Sequence, residues 1–161
     1  MMNTLLLGKV YKNKIDRITK PTPQAYIYLR GIFMYKIDNN VLERKMMYEG
    51  TVVLTYKINY PYIEAKTHSF GIINFNIYNK KQALDLQRRS ENELFKQAVE
   101  LYKYNKKNGY PQRAYEVVRN YEVTLNANNV ISLYADEYIY SGGAHGDTIR
   151  TSQNWNMITG R

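Results

Sequence analysis

The sequence predicts an α+β fold in which largely antiparallel strands flank one long helix at about residues 80–107. Short runs rich in β-branched and aromatic residues occur in both halves of the chain, as is typical of strands. A single helical pattern separates the two halves and stops at Asn108-Gly109, followed by Pro111. The chain of 161 residues is 44% hydrophobic, which is enough to bury a shared core.

The first unit is predicted to cover residues 24–109. Residues 1–23 precede it as an irregular segment, since Pro21 and Pro23 interrupt regular structure. Ala25 to Ile37 then reads as a strand, and Asp38-Asn39-Asn40 indicates a turn.

Further strands are predicted in the same unit from Met46 to Asn59, from Ile63 to Thr67 and from Ile72 to Tyr78. Thr51 to Tyr56 is the clearest β-branched run among them. Pro61 indicates an edge position or a kink, because proline cannot donate a hydrogen bond to a neighbouring strand.

The helix is predicted to begin where Asn79 and Gln82 have the spacing of an N-cap and its partner. Ser90 and Glu93 could cap a second start, which leaves two alternatives, one continuous helix or a break near residue 90. The apolar face consists of Leu86, Leu94, Ala98, Leu101 and Tyr102.

The second unit, residues 110–161, is predicted to be β-rich. Its strands run from Tyr115 to Leu125, Val130 to Tyr140 and Thr148 to Met157, with a turn at Asn126 to Asn129. Residues 158–160 resemble a turn that leads into another element, so the unit looks truncated. Alternation in the middle strand places two groups on opposite faces. They are Ile131, Leu133, Ala135 and Ile139 on one face, and Tyr134, Asp136, Tyr138 and Tyr140 on the other.

The loop that follows the middle strand is the leading candidate for a binding site. It carries three glycines within five residues, and glycine allows a positive φ without strain. It is also longer than the two-residue turn that a simple strand reversal needs. Together with the tyrosines that lead into it, it gives the candidate ligand-binding residues Tyr134, Tyr138, Tyr140, Ser141, Gly142, Gly143, Ala144, His145, Gly146 and Asp147.

Catalytic and metal-binding alternatives are weaker. His145, Asp147 and His68 could ligate zinc, but no helical metal-binding spacing is present. Ser141 lacks a nucleophile elbow, and the glycines lack the Gly-Lys-Ser/Thr sequence of a phosphate loop. Asp136 and Glu137 are neighbours on a strand and point to opposite faces, so they cannot flank one glycosidic bond. We therefore predict no catalytic residue, no metal and no cofactor.

The composition excludes several classes of protein. Without cysteine the chain has no disulfide, thiolate metal site or cysteine nucleophile. No apolar run approaches the length of a membrane span, so membrane attachment requires a segment outside this sequence. The net charge of +9 attracts anionic partners, but the basic residues are scattered and match no nucleic-acid motif. A nucleic-acid partner is the third and least favoured binding hypothesis.

Two segments resemble known bacterial domains. The segment from Tyr121 to Gly146, which contains Tyr140-Ser141-Gly142-Gly143-Ala144-His145-Gly146, resembles the C-terminal domain of RsiV-type anti-sigma factors, and so do Thr148 to Trp155 and Ile158 to Gly160. The residues from about Thr51 to Ile63, and from Ile72 to the helix, resemble the PdaC-type domain that precedes it. The same pair of domains occurs in PdaC-like polysaccharide deacetylases.

This resemblance implies a non-catalytic, extracytoplasmic domain of a bacterial cell envelope that senses or binds a ligand. The ligand is expected to be a protein such as lysozyme, or a cell-wall glycan. The alternative is an accessory module of a peptidoglycan or polysaccharide deacetylase. Binding of a basic lysozyme requires a locally acidic face, for which Asp136 and Glu137 are the nearby candidates.

Overall fold

The computed structural model describes residues 26–29, 32–65 and 69–160, and these residues form the predicted α+β fold. The elements in chain order are β1 (Tyr26–Leu29), β2 (Ile32–Tyr35), β3 (Asp38–Tyr48), β4 (Thr51–Tyr62), α1 (Phe70–Arg89), a π-helical turn (Ser90–Leu94), α2 (Phe95–Asn108), β5 (Tyr115–Ala127), β6 (Val130–Tyr140) and β7 (Asp147–Asn156). The π-helical turn joins α1 to α2, so the two form one long helix between the strands.

A single five-stranded sheet contains most of the strands, in the order β3-β4-β5-β6-β7. Its neighbouring strands are antiparallel except β4 and β5, which are parallel because the long helix crosses over between them. Strands β1 and β2 form a separate antiparallel pair. The predicted boundary near residue 109 lies between α2 and β5. Because β5 pairs with β4, strands from both predicted domains form one continuous sheet, and the division into two domains stays a prediction.

The helix packs against one face of this sheet, and the core lies between them. Two clusters of buried side chains fill this layer. The first consists of Val53, Leu54, Tyr56, Ile58, Tyr60, Ala83, Leu86, Leu94, Ala98, Val99, Tyr102, Tyr115 and Val117. The second consists of Tyr35, Ile63, Ile72, Phe75, Ile131, Leu133 and Met157. No described element packs against the other face, which we call the open face.

The long helix begins ten residues earlier than the sequence predicted. Ser69 is its N-cap, and its Oγ accepts a hydrogen bond from the backbone N–H of Ile72 (3.3 Å). The predicted strand from Ile72 to Tyr78 is therefore wrong, and Asn79 lies in the helix interior, where its Nδ2 donates to the carbonyl of Phe75 (2.9 Å). The side chains of this segment meet the sheet at helical spacing, and that packing overrides their β propensity.

Of the two alternatives near residue 90, the structure has the continuous helix, with the π-helical turn in place of a break, and there the Ser90 hydroxyl donates to the carbonyl of Leu86 (2.8 Å). The helix ends at Asn108 as predicted, because Gly109 adopts the left-handed conformation (φ 71°). The predicted strand from Ile63 to Thr67 is wrong for residues 63–65, which lie outside any strand. Its last two residues lie outside the described ranges.

The first half of the sheet differs from the prediction in where its strands begin. Asp38 to Asn40 start β3 instead of forming a turn, because they pair with residues 60–62 of β4. The actual turn is Glu49-Gly50, where both residues have positive φ (47° and 75°), and it interrupts the strand predicted from Met46 to Asn59. Pro61 lies beyond the parallel pairing of β4 with β5, which ends at Ile58, so it occupies an edge as predicted.

Strands β5 to β7 agree with the prediction to within two residues at each end. The turn between β5 and β6 consists of Asn128 and Asn129, both with positive φ (49° and 67°), as the tightest hairpins require. The prediction of one strand from Ala25 to Ile37 is wrong, because this segment forms two antiparallel strands, β1 and β2. The predicted irregular segment 1–23 lies outside the described residues.

Candidate functional site

The predicted tyrosine row lies on the open face of the sheet, along β6. Tyr134, Tyr138 and Tyr140 are half-buried, and the alternating residues Ile131, Leu133 and Ala135 are buried beneath the helix, as the sequence predicted. Because β6 pairs with both β5 and β7, its tyrosines are supported by a strand on either side. The row therefore presents aromatic side chains from a fixed backbone.

One end of the row is a tightly connected polar cluster. The Arg150 guanidinium lies over the Tyr134 ring, 4.1 Å from its centroid, and donates two hydrogen bonds of 2.7 Å to the Asp136 carboxylate. The Tyr134 hydroxyl donates to Glu122 on β5. These bonds lower the pKa of Asp136 and raise the pKa of Tyr134. The cluster is charged and pre-ordered at neutral pH, which suits recognition of a polar ligand.

The other end of the row holds the glycine-rich loop in place. The Tyr140 hydroxyl donates to the carbonyl of Gly143 (3.0 Å). Gly142 has a positive φ (88°) and packs so closely on Leu101 of α2 that an added Cβ would overlap the Leu101 side chain. An added Cβ on Gly146 would overlap the Tyr138 ring. Gly142 is thus required by its positive φ, and a side chain at Gly146 would displace the Tyr138 ring, so the loop is docked onto the helix and the tyrosine row.

The docked loop leaves its remaining side chains in solvent. Ser141, Ala144, His145 and Asp147 are exposed, and so is Gly143, whose φ is not positive. All ten predicted binding residues are therefore contiguous in space along β6, the loop and the start of β7. Their role in binding stays a prediction.

The open face continues beyond β6 as a polar surface that the sequence analysis missed. Asn39 donates through Nδ2 to Asn59 Oδ1 (3.0 Å), and Asn59 donates through Nδ2 to Asn120 Oδ1 (2.8 Å), which forms an asparagine ladder across β3, β4 and β5. A shallow cavity of about 420 Å³ lies beside it over the same three strands. The cavity is lined by Glu43, Arg44, Lys45, Thr55, Tyr56, Lys57, Glu116, Val117 and Val118. The ladder depends on strand register, which the local sequence does not reveal.

The acidic groups near the tyrosines are not the pair that the sequence indicated. Asp136 lies on the open face, but Glu137 points to the helix side, where its carboxylate lies 3.6 Å from Arg119 and 3.9 Å from Arg89. In its place, β5 contributes Glu116 opposite Tyr140 and Glu122 opposite Tyr134. The acidic residues of this face that lie beside the tyrosines are therefore Glu116, Glu122 and Asp136.

Arg119 is a buried cation that the sequence analysis also missed. It is 4% exposed, its Nε has no hydrogen-bond partner, and burial lowers its pKa. Alternation along β5 was the available signal, because Arg119 shares a face with the buried Tyr115 and Val117. Its partner Glu137 makes it a structural ion pair beneath the helix and not part of the open face.

The acidic and histidine side chains of the catalytic and metal-binding alternatives do not all lie together among the described residues. Asp136 and Glu137 lie on opposite faces of the sheet, as predicted. Among the described residues, no three His, Asp or Glu side chains are grouped to hold a metal ion, and His68 lies outside the described ranges. Within those same ranges, no helix is both long and apolar enough to cross a bilayer.

Comparison with known proteins identifies the family and the fold. The family model of the deacetylase PdaC matches residues 48–148, which extend from the end of β3 to the start of β7. No match was found among the curated proteins.

The solved structures that are similar to this chain include two of the DUF3298 family. One is a member of the DUF3298 family from Bacteroides fragilis, with a TM-score of 0.61 and 18% identity, over 78% of this chain and 57% of that chain. The other is a DUF3298 family protein from Pseudomonas aeruginosa, with a TM-score of 0.43 and 12% identity, over 78% of this chain and 54% of that chain. At these identities the first likeness establishes the fold alone. This chain spans little more than half the length of either structure.

Proposed function

This chain belongs to the deacetylase PdaC family, and we propose that it is a non-catalytic ligand-recognition domain of the bacterial cell envelope. The observation that carries the proposal is the open face, where a half-exposed tyrosine row and a docked loop form one pre-ordered surface. Rigid aromatic side chains and adaptable polar groups are the usual components of recognition surfaces. Because these groups are already fixed by neighbours, little conformational entropy is lost when they bind.

The chemistry of the face supports binding more than catalysis. A general acid needs a pKa near the working pH, but Arg150 holds the pKa of Asp136 below its ordinary value. That carboxylate stays ionised and already accepts both hydrogen bonds of a guanidinium. It is suited to a permanent electrostatic contact.

The preferred ligand is a basic protein of the lysozyme type, as in RsiV-like sensing. Glu116, Glu122 and Asp136 lie beside the tyrosines, and Arg150 offsets only one of these three carboxylates, so this part of the surface is acidic although the whole chain carries a net charge of +9. A complementary charge on the ligand speeds association and selects against acidic partners. A glycan is the second ligand on this hypothesis, since the exposed rings and the asparagine ladder offer stacking and hydrogen bonds.

The experiment is a calorimetric titration of the purified chain with a basic lysozyme at low and at physiological salt. We expect saturable binding that weakens as salt rises. Undetectable binding of both lysozyme and soluble peptidoglycan fragments contradicts the proposal. The envelope location has its own test, which is whether protease added to intact cells degrades the natural protein.

An accessory role in a polysaccharide deacetylase is the second candidate function, and the name of the matched family favours it. On this hypothesis the open face holds cell-wall glycan near a catalytic domain. Retention of this chain on insoluble peptidoglycan, without binding to lysozyme, would favour the accessory role over recognition of lysozyme.

A further inference from the structure

The outer side of α1 carries a second apolar stripe that no described element covers. Phe70, Ile73, Ile77 and Leu84 are 75%, 38%, 61% and 38% exposed, and they recur at intervals of three, four and seven residues. This spacing places them on one side of the helix. The residues buried against the sheet are a different set, namely Gly71, Ile72, Phe75, Asn79, Ala83 and Leu86.

An exposed helix of a soluble domain normally has one apolar side, and a helix that is apolar on two opposite sides is usually covered on both. The stripe from Phe70 to Leu84 extends for about 21 Å along the helix axis. Ile158 is 62% exposed and lies near the start of this stripe, because its neighbour Met157 packs against Gly71 in the first turn of α1. Several large apolar side chains clustered in this way mark an interaction surface.

The charged side chains beside the stripe are mostly basic. A cavity of about 460 Å³ lies along it, lined by Ile77, Lys80, Lys81, Leu84, Asp85 and Arg88. Asp85, the one acidic residue in the lining, is already paired with Arg88. An occupant of this groove therefore has to supply both apolar side chains and carboxylates.

We propose that this groove binds an acidic amphipathic helix of a partner protein. Helix-in-groove binding uses apolar anchors spaced by three and four residues, and here the cations would pair with carboxylates on the flanks of the bound helix. The surface lies on the side of the helix away from the sheet, so it is separate from the open face and from the function proposed for it.

Two other occupants fit the charges less well. In a second copy of this chain, Lys80 and Lys81 would approach their own counterparts. The N-terminal part of the chain would also be repelled, because it carries Lys9, Lys12, Lys14, Arg17 and Lys20. An anionic bilayer matches the charge as well, and the vesicle arm of the test below distinguishes it from a protein helix.

The test uses fluorescence anisotropy with a synthetic helix of about 18 residues that carries leucines on one side and glutamates on both flanks. Its matched control peptide has lysine in place of each glutamate, and phosphatidylglycerol vesicles form a third arm. We expect the acidic peptide to bind at least about tenfold more tightly than the basic one. We also expect Ile77→Gln combined with Leu84→Gln to weaken that binding by about tenfold or more.

The charge contribution is tested with Lys80→Glu and Lys81→Glu, against Lys96→Glu on α2 as the control with the same change of charge. All three positions are exposed, so none of these substitutions disturbs the core. Loss of binding in the first pair alone supports the proposal. Equal affinity for the two peptides, binding to vesicles but not to the acidic peptide, or self-association that Ile77→Gln removes would each overturn it.

Discussion

The ring of Tyr138 lies directly against Gly146, so a side chain at position 146 would have to displace the outer end of that ring. This contact closes the loop back onto the sheet. In the docked loop His145 is exposed to solvent.

The first prediction concerns this contact. Gly146→Ala should destabilise the protein by about 1 kcal/mol, because the new methyl group pushes the outer end of the half-buried Tyr138 ring out of its contact with the loop. Urea denaturation measures the effect. Gly143→Ala is the matched control: the nearest atom to its Cβ is 3.8 Å away, and the change should stay within about 0.5 kcal/mol. If both variants are equally stable, the packing described here is incorrect.

The second prediction concerns the ion pair beneath the helix. Glu137→Gln leaves the Arg119 guanidinium buried without a countercharge and should cost about 3 kcal/mol of unfolding free energy. The double variant Arg119→Met with Glu137→Met should recover most of that loss, since an apolar pair of similar volume needs no compensation. A double-mutant cycle in urea, with Arg119→Met and Glu137→Met as its two single variants, measures the coupling. Simple addition of the two single effects would contradict the coupling.

The third prediction is a pH dependence centred on Glu91. The Tyr56 hydroxyl donates to Glu91 (2.7 Å) and lowers the pKa of that carboxyl, with a further contribution from Arg44. Because the pKa of Glu91 is lowered in the folded state, this stabilisation is complete above the ordinary pKa of glutamate. It is lost as the pH falls through the lowered pKa that Glu91 has in the folded protein.

Tyr56→Phe removes this hydrogen bond, so it should cost about 1 kcal/mol at pH 7 and clearly less at acidic pH. Thermal unfolding between pH 7 and pH 3 measures the difference between the variant and the natural chain. A difference that stays constant over this range would show that the bond does not affect the titration of Glu91.

The fourth prediction concerns the cluster at the end of the tyrosine row. Arg150→Gln removes both hydrogen bonds to Asp136, so the pKa of that carboxyl should rise toward its ordinary value. Titration followed by NMR of the Asp136 carboxyl measures the shift. Lys57→Gln, a loss of charge elsewhere on the open face, should leave it unchanged. An unshifted pKa in Arg150→Gln would mean that this pair does not persist in solution.

Much of the fold was predictable because local signals and tertiary structure agree. The alternation of β6 placed Leu133 and Ala135 inside and Tyr134 and Tyr138 outside, and Asn108-Gly109 ended the helix as expected. Each of these depends on residues that are close in sequence.

The errors arose where tertiary structure decided the outcome. Residues 72–78 are rich in isoleucine and aromatic residues, which favour a strand, but capping by Ser69 and packing against the sheet make them helical. Their helical spacing was visible, yet the exposed apolar stripe obscured it by filling the opposite side. Asp38 to Asn40 read as a turn because their pairing with β4 is set by register and not by composition.

The candidate site was predictable in its residues but not in its surroundings. The loop and the tyrosines were found because they lie together in sequence. Glu122, Arg150 and the asparagine ladder join them only through pairing between β4, β5, β6 and β7, and the parallel pairing of β4 with β5 spans the whole helix. A local sequence pattern does not reveal contacts between residues that are so far apart in the sequence.

The most direct test of the central claim is a set of affinities for one ligand, lysozyme or peptidoglycan fragments, whichever binds the natural chain. The variants are Tyr134→Ala and His145→Ala on the open face and the loop, with Lys96→Ala on α2 as the control. If the open face is the recognition surface, each of the first two variants should bind at least about tenfold more weakly while remaining folded, and the control should bind normally. Unchanged affinity in both Tyr134→Ala and His145→Ala would contradict the account.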